Sequence, residues 1–103
     1  MDRQALEDML AQGQDNLMLR YTLGTLYFKE KEYETAAEHL ERALEINNHH
    51  SASWKAYGRA LAAQGRRSDA IDAYTTGITV AQKRGDIQAA KEMQIFLKRL
   101  QEH

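Results

Sequence analysis

The chain has 103 residues, 43% of them apolar, with a formal net charge of −1 and no cysteine. That composition fits one small domain with room for a core, excludes disulfide and thiol chemistry, and gives no general reason to seek DNA or an anionic membrane. No segment approaches the ~20 apolar residues of a membrane span, and the start MDRQALEDML lacks the continuous hydrophobic stretch of a signal peptide; the expected location is cytoplasmic.

Proline is absent, which suits a nearly all-helical chain whose turns are made by glycine, asparagine and charged residues. The spacing predicts a helix over 2–12, with Ala5, Leu6, Met9 and Leu10 on one stripe and Gly13 as its stop. Asn16 is a suitable N-cap for a second helix running to about Lys29, after which comes the polar turn KEKE. A third helix is expected from about Glu34 to Asn47, apolar at Ala36, Ala37, Leu40, Ala43, Leu44 and Ile46. Ser51 or Ser53 is the expected cap of a fourth helix that ends before Gly65, and Ser68 the expected cap of a fifth. Gly85 and Asp86 form a stop-and-start pair before a sixth. Nothing alternates with a period of two, so no sheet is expected.

Charge is unevenly spread. Residues 1–50 carry 5 Lys/Arg against 10 Asp/Glu, and residues 51–103 carry 9 against 5. The plain reading is solvated helix faces of differing sign; the alternative is steering of a partner or a head-to-tail meeting of two copies.

Laid on itself with a shift of 34, the chain matches Gly24 with Gly58 and Ala36 with Ala70. These two small-residue pairs are the only identities between 17–50 and 51–84, while Leu23 with Tyr57, Tyr27 with Leu61, Leu40 with Tyr74, Ala43 with Gly77, Leu44 with Ile78 and Ile46 with Val80 agree by class. A glycine inside a helix costs roughly 1 kcal/mol relative to alanine. Gly24 and Gly58 are therefore expected at a close helix crossing, opposite Ala36 and Ala70, where small residues let two backbones approach. A helix pair recurring every 34 residues is the period of a stacked helical repeat.

In these positions the chain resembles the tetratricopeptide repeat family, whose motif places W, L, G and Y in the first helix of a pair and A, F, A in the second. One copy supplies Arg20, Leu23, Gly24, Tyr27, Ala36, Leu40 and Ala43; the other supplies Trp54, Tyr57, Gly58, Leu61, Ala70, Tyr74 and Gly77. Arg20 departs from the tryptophan, Gly77 from the alanine, and Asn48 and Gln82 from a helix-ending proline. The resemblance implies an all-α, right-handed solenoid fragment of antiparallel helix pairs, about six helices in all. The domain is read as 1–16 N-terminal capping helix, 17–50 and 51–84 two repeats, and 85–103 C-terminal capping helix. In the last helix Ile87, Ala90, Leu97 and Leu100 are expected to cover the preceding pair.

The same resemblance implies a concave surface lined by the first helices. It carries over to Met18, Tyr21, Thr25 and Phe28, to Lys55 and Arg59, and to Met93 and Phe96, with Ala52, Ala62 and Ala89 between them. The aromatics and methionines would give apolar contact, and Lys55 and Arg59, one turn apart, would meet a carboxylate. The plainer alternative is that Phe28, Met93 and Phe96 are core. Some family members clamp a peptide's terminal carboxylates with lysines and asparagines, but Tyr21, Thr25, Ala56, Asp86 and Ala90 occupy those places, so that clamp is absent.

Other candidates lead nowhere comparable. His39, His49, His50 and His103 lack the spacing of a helical metal pair and read as solvent-exposed. Asp69 and Asp72 suit a helix N-terminus, and KRGD at 83–86 reads as a turn. Arg59, Arg66, Arg67, Lys83 and Arg84 have neither a glycine-rich phosphate loop nor interleaved aromatics, so no nucleic-acid partner is expected. Ser51, Ser53 and Ser68 lack a nucleophile context and a base. The expectation is a non-enzymatic adaptor without metal or cofactor. It would bind a peptide or helix of apolar and acidic character, as a monomer or weak homo-oligomer. Structural self-assembly through the oppositely charged halves is the alternative.

Overall fold

The computed structural model describes residues 2–102; Met1 and His103, the last of the four histidines, lie outside the described residues. Six helices follow in order: α1 Arg3–Ala11, α2 Leu17–Lys29, α3 Tyr33–Ile46, α4 Ser51–Ala63, α5 Arg67–Arg84 and α6 Ile87–Gln101. No strand occurs among the described residues. Connections of two to five residues force neighbours antiparallel, and α2 with α3, α4 with α5, and α5 with α6 pack along their lengths. The stack measures 42 × 28 × 20 Å, elongated as rods laid side by side require.

Local chemistry sets the helix ends. Asp2, Asn16 and Asp86 each accept a backbone N–H of the first turn, from Ala5, Leu19 and Ala89. Ser51, Ser53 and Ser68 do not cap. The helix boundaries fall earlier, at His50 and Arg66, and all three serines lie inside α4 or α5. Ser53 instead pairs with His50 Nδ1 at 2.6 Å, and the Ser51 hydroxyl is buried without a partner among the described residues. Four helices stop in one way: a residue in the left-handed region follows, and the next N–H returns to a carbonyl five residues back. Gly13, Gly65 and Gly85 fill that role after α1, α4 and α5; Lys31, at φ 64°, fills it after α2.

The core lies between the helix pairs. Leu23, Leu40, Leu61, Tyr74 and Met93 are its largest fully enclosed side chains, with Ala36, Ala60, Ala70 and Ala81 sealed around them. Gly24 and Gly58 do sit at the helix crossings, but what faces them is not Ala36 or Ala70. A Cβ at residue 24 would meet Leu40 Cγ at 2.5 Å, and one at residue 58 would meet the Tyr74 ring at 2.4 Å. The glycines are sockets for a large side chain. Gly77 is a third socket, taking Met93 Sδ at 2.6 Å from a hypothetical Cβ, with Trp54 Cβ at 2.7 Å.

The ends differ from expectation in detail. Leu6 of α1 packs with Leu19 and Leu23. On α6, Ala89, Ala90 and Met93 are buried, whereas Ile87 is 64% exposed and does not cover the preceding pair. Ala90, Leu97 and Leu100 pack on that pair as expected, while Met93 and Ala89 take the inward place expected of Ile87.

Candidate functional site

Side by side, α2, α4 and α6 form one face of the stack, and their side chains make a row across it. The Arg59 guanidinium lies 4.8 Å from the Phe28 ring centre and 5.8 Å from that of Phe96. Arg59 is itself exposed. Beneath this row Phe96 rests 5.8 Å from Tyr74, so the surface ring is supported by the core.

Beside Phe28 an open cleft of about 500 Å³ enters the face. Thr25, Phe28 and Lys29 of α2 line it, with Lys31 of the turn, Tyr33 of α3, and Ala56 and Arg59 of α4. Phe28 and Tyr33 meet edge-on, 5.2 Å between ring centres, and form an aromatic wall. No acidic side chain lines it.

The residues singled out from sequence fare differently. Thr25, Phe28 and Arg59 come together at the cleft, and Phe96 joins them through Arg59. Lys55 is already bound to Glu92 of α6 at 3.3 Å, both side chains partly exposed. Tyr21 lies edge-on to His50 at 5.1 Å, and Met18 is 58% exposed. Met93 is a correction. It is fully enclosed, seated against Gly77 and packed with Tyr74, Ala81 and Ala90, and no partner on this face can touch it. Lys29, Lys31, Tyr33 and Ala56 are the cleft residues that the repeat spacing missed: the two lysines lie at or beyond the end of α2, Tyr33 opens α3, and Ala56 falls between the positions carried over on α4.

His49 is exposed as expected, whereas His39 and His50 depart from the exposed reading. His39 is buried in α3, stacked on Tyr27 at 5.4 Å, and its Nδ1 lies 3.0 Å from Arg20 Nη1. Arg20 stands where the family motif has tryptophan and binds Asp15 through two N–H groups, at 2.8 and 3.0 Å. Burial, and then the neighbouring Arg20 charge, hold the His39 pKa below its ordinary value. Burial does the same to His50, with Arg84 adding to it. The Arg20 hydrogen bond lowers the Asp15 carboxyl. Among the described residues no three His, Asp or Glu side chains gather as metal ligands, and no helix is long and apolar enough to cross a membrane.

Comparison with known proteins bears on the family and the fold. Residues 27–93 match the model of the family described as tetratricopeptide repeat. A TPR repeat-containing protein of Pseudomonas aeruginosa is 44% identical over 97 residues, covering 94% of this chain and 92% of that protein. The solution structure of a protein from Bordetella parapertussis superposes with a TM-score of 0.87 at 43% identity, over 99% of this chain and 89% of that one. The crystal structure of a tetratricopeptide repeat domain protein from Salinibacter ruber gives 0.77 at 24% identity, over 84% of this chain and 97% of that one. At that identity the second likeness speaks for the fold alone.

Proposed function

The chain belongs to the tetratricopeptide repeat family, and from that premise we propose that it is a non-catalytic module holding a partner peptide or helix on the α2–α4–α6 face. The family generally mediates protein–protein interaction. One observation carries the reading here: the Phe28–Arg59–Phe96 row spans three helices, presents an exposed cation between two rings, and adjoins an open cleft. Aromatic and arginine side chains on a rigid support are the usual anchors of protein interfaces. Packing of Phe96 on Tyr74 fixes the row before a partner arrives, so little ordering cost falls on binding.

The test is a random-peptide selection on the folded chain, followed by mapping of a selected peptide through amide chemical shifts. Perturbations centred on Thr25, Phe28, Ala56, Arg59 and Phe96 are expected, with roughly tenfold weaker binding by Arg59→Glu at unchanged helicity. Perturbations confined to the outer faces of α1 and α3 would refute the assignment.

A second reading has an observation of its own. Ile87 and Ile95 are 64% and 51% exposed and lie on one face of α6 with Lys91 and Lys98, at the basic end of a chain whose other end is acidic. Head-to-tail contact between copies would cover that face. Light scattering at low and high salt separates the two: a salt-sensitive dimer or longer chain supports self-assembly, and a monomer at both salts removes it.

A further inference from the structure

The turn after α2 carries a conformation that needs a reason. Lys31 sits at φ 64°, where the equivalent positions after α1, α4 and α5 are Gly13, Gly65 and Gly85. All four close with the same return hydrogen bond, Glu32 N–H to Tyr27 O at 2.9 Å in this case. Glycine enters the left-handed region freely, whereas a residue with a Cβ does so at a cost. Lysine here is therefore kept for its side chain, and that side chain lines the cleft beside Phe28 and Tyr33.

The charges of the N-terminal half single out the same place. Of the 5 cations in residues 1–50, three are arginines held by this chain's own acids: Arg3 by Glu30, Arg20 by Asp15, and Arg42 by Asp15 and Glu45. The other two, Lys29 and Lys31, form no ion pair among the described residues, and both border the cleft. Arg59 on the opposite wall forms none either, and its guanidinium is occupied only by ring faces. Three cations on three separate elements thus surround an aromatic wall with no acid among the lining residues. Elsewhere on this face Lys55 is already paired with Glu92 of α6.

We propose that this cleft takes an internal peptide segment in which one large apolar side chain is flanked by aspartate or glutamate. The apolar side chain would lie on Phe28 and Tyr33, and the flanking carboxylates would meet Lys29 and Lys31 on one side and Arg59 on the other. A lone chain terminus could neutralise only part of so dispersed a set, which favours an internal acidic segment. This deepens the protein-binding reading above and rests on it.

Fluorescence anisotropy with labelled acetyl-Asp-Glu-Leu-Trp-Asp-Glu-amide tests it, alongside the same peptide with its acids replaced by lysine, a second with Leu-Trp replaced by Ala-Ala, and an oligo-dT strand. The acidic apolar peptide should bind, more tightly at low salt, and each control should bind at least about tenfold more weakly. Lys29→Glu with Lys31→Glu should weaken it about tenfold. Lys31→Gly keeps the turn and removes the charge, and should weaken it about threefold while the fold is retained. Lys91→Glu with Lys98→Glu, on the far face of α6, should leave it unchanged.

Equal loss in the α6 variant, no loss in the cleft variants, or tighter binding of oligo-dT overturns the proposal. If library-selected peptides without acids still perturb the Phe28–Arg59–Phe96 row, only this inference falls. If no peptide perturbs that row, the protein-binding reading falls with it.

Discussion

Tyr74 lays its ring in the notch left by Gly58, so close that a Cβ there would stand 2.4 Å from the ring edge. The phenol is 2% exposed, and burial pushes its pKa up to about 12. Leu40 stands in the same relation to Gly24, and Met93 with Trp54 to Gly77. In a solvent-facing helix, replacing glycine by alanine adds about 1 kcal/mol of stability. At residue 58 the added methyl meets a rigid enclosed ring, and overpacking of this kind costs about 1–3 kcal/mol. Gly58→Ala should therefore destabilise the protein by about 1–2 kcal/mol in urea unfolding. Gly77→Ala restores the residue usual in the family and should still destabilise, because Trp54 Cβ cannot swing away.

These sockets mark how far the sequence could be read. Six helices were legible, and the ends set by Asn16, Gly13, Gly65, Gly85 and Asp86 fell within about a residue, since these act through local backbone chemistry that needs no tertiary context; the starts of α4 and α5, expected at serine caps, fall one to three residues earlier. The 34-residue shift located the crossings because only a small residue tolerates them. It could not say what fills them: the filler lies one turn beyond Ala36 or Ala70 and changes from leucine to tyrosine. The cleft was half legible. Thr25, Phe28 and Arg59 follow from helical spacing, but Lys31 and Tyr33 enter through a turn, where periodicity carries no information. On α6 the inward face runs through Ala90, Leu97 and Leu100 as read but takes in Met93 in place of Ile87, and helical spacing alone does not say which flank of the stripe is enclosed.

Ser51 separates the two readings of α4 with one substitution. A serine acting as N-cap would lose about 1 kcal/mol on change to alanine. Instead its hydroxyl is enclosed, 3% exposed, and unpartnered among the described residues. A buried hydroxyl without a hydrogen bond is itself a penalty of about 1–3 kcal/mol. Ser51→Ala should raise stability by about 1 kcal/mol, seen as a later urea midpoint at unchanged slope. A loss of stability would restore the cap.

Met93 should behave as core and not as a contact for partners. It is 0% exposed, and truncating a buried methionine to alanine costs about 2–5 kcal/mol. The side chain also fills the space above Gly77, so the cavity left behind has no backbone free to collapse into it. Met93→Ala should lower stability by about 3 kcal/mol, while Phe96→Ala, half-buried at the surface, should cost less and weaken peptide binding more. Comparable stability losses from the two would argue against the enclosed position of Met93.

Acid sensitivity should begin at His39. Its ring lies between Tyr27 and Arg20 with Glu7 3.7 Å from Nε2, and burial outweighs the carboxylate, so the folded pKa lies below the ordinary 6.5. The unfolded chain therefore takes up a proton at a pH where the folded chain still resists it. Between those two values unfolding binds protons, and stability rises with pH. The stabilisation is complete above about pH 7 and is lost as pH falls below about 6.5 through the folded value. His50 is shifted in the same direction and adds to the slope. Asp15 contributes separately: its carboxyl is lowered from 3.8, so its stabilisation fades only in stronger acid. Urea midpoints measured from about pH 7.5 down to about pH 5 should fall, and His39→Gln should flatten part of that fall, with His50→Gln removing more. A wild-type midpoint that stays level across this window would mean that the His39 ring is hydrated in the folded protein.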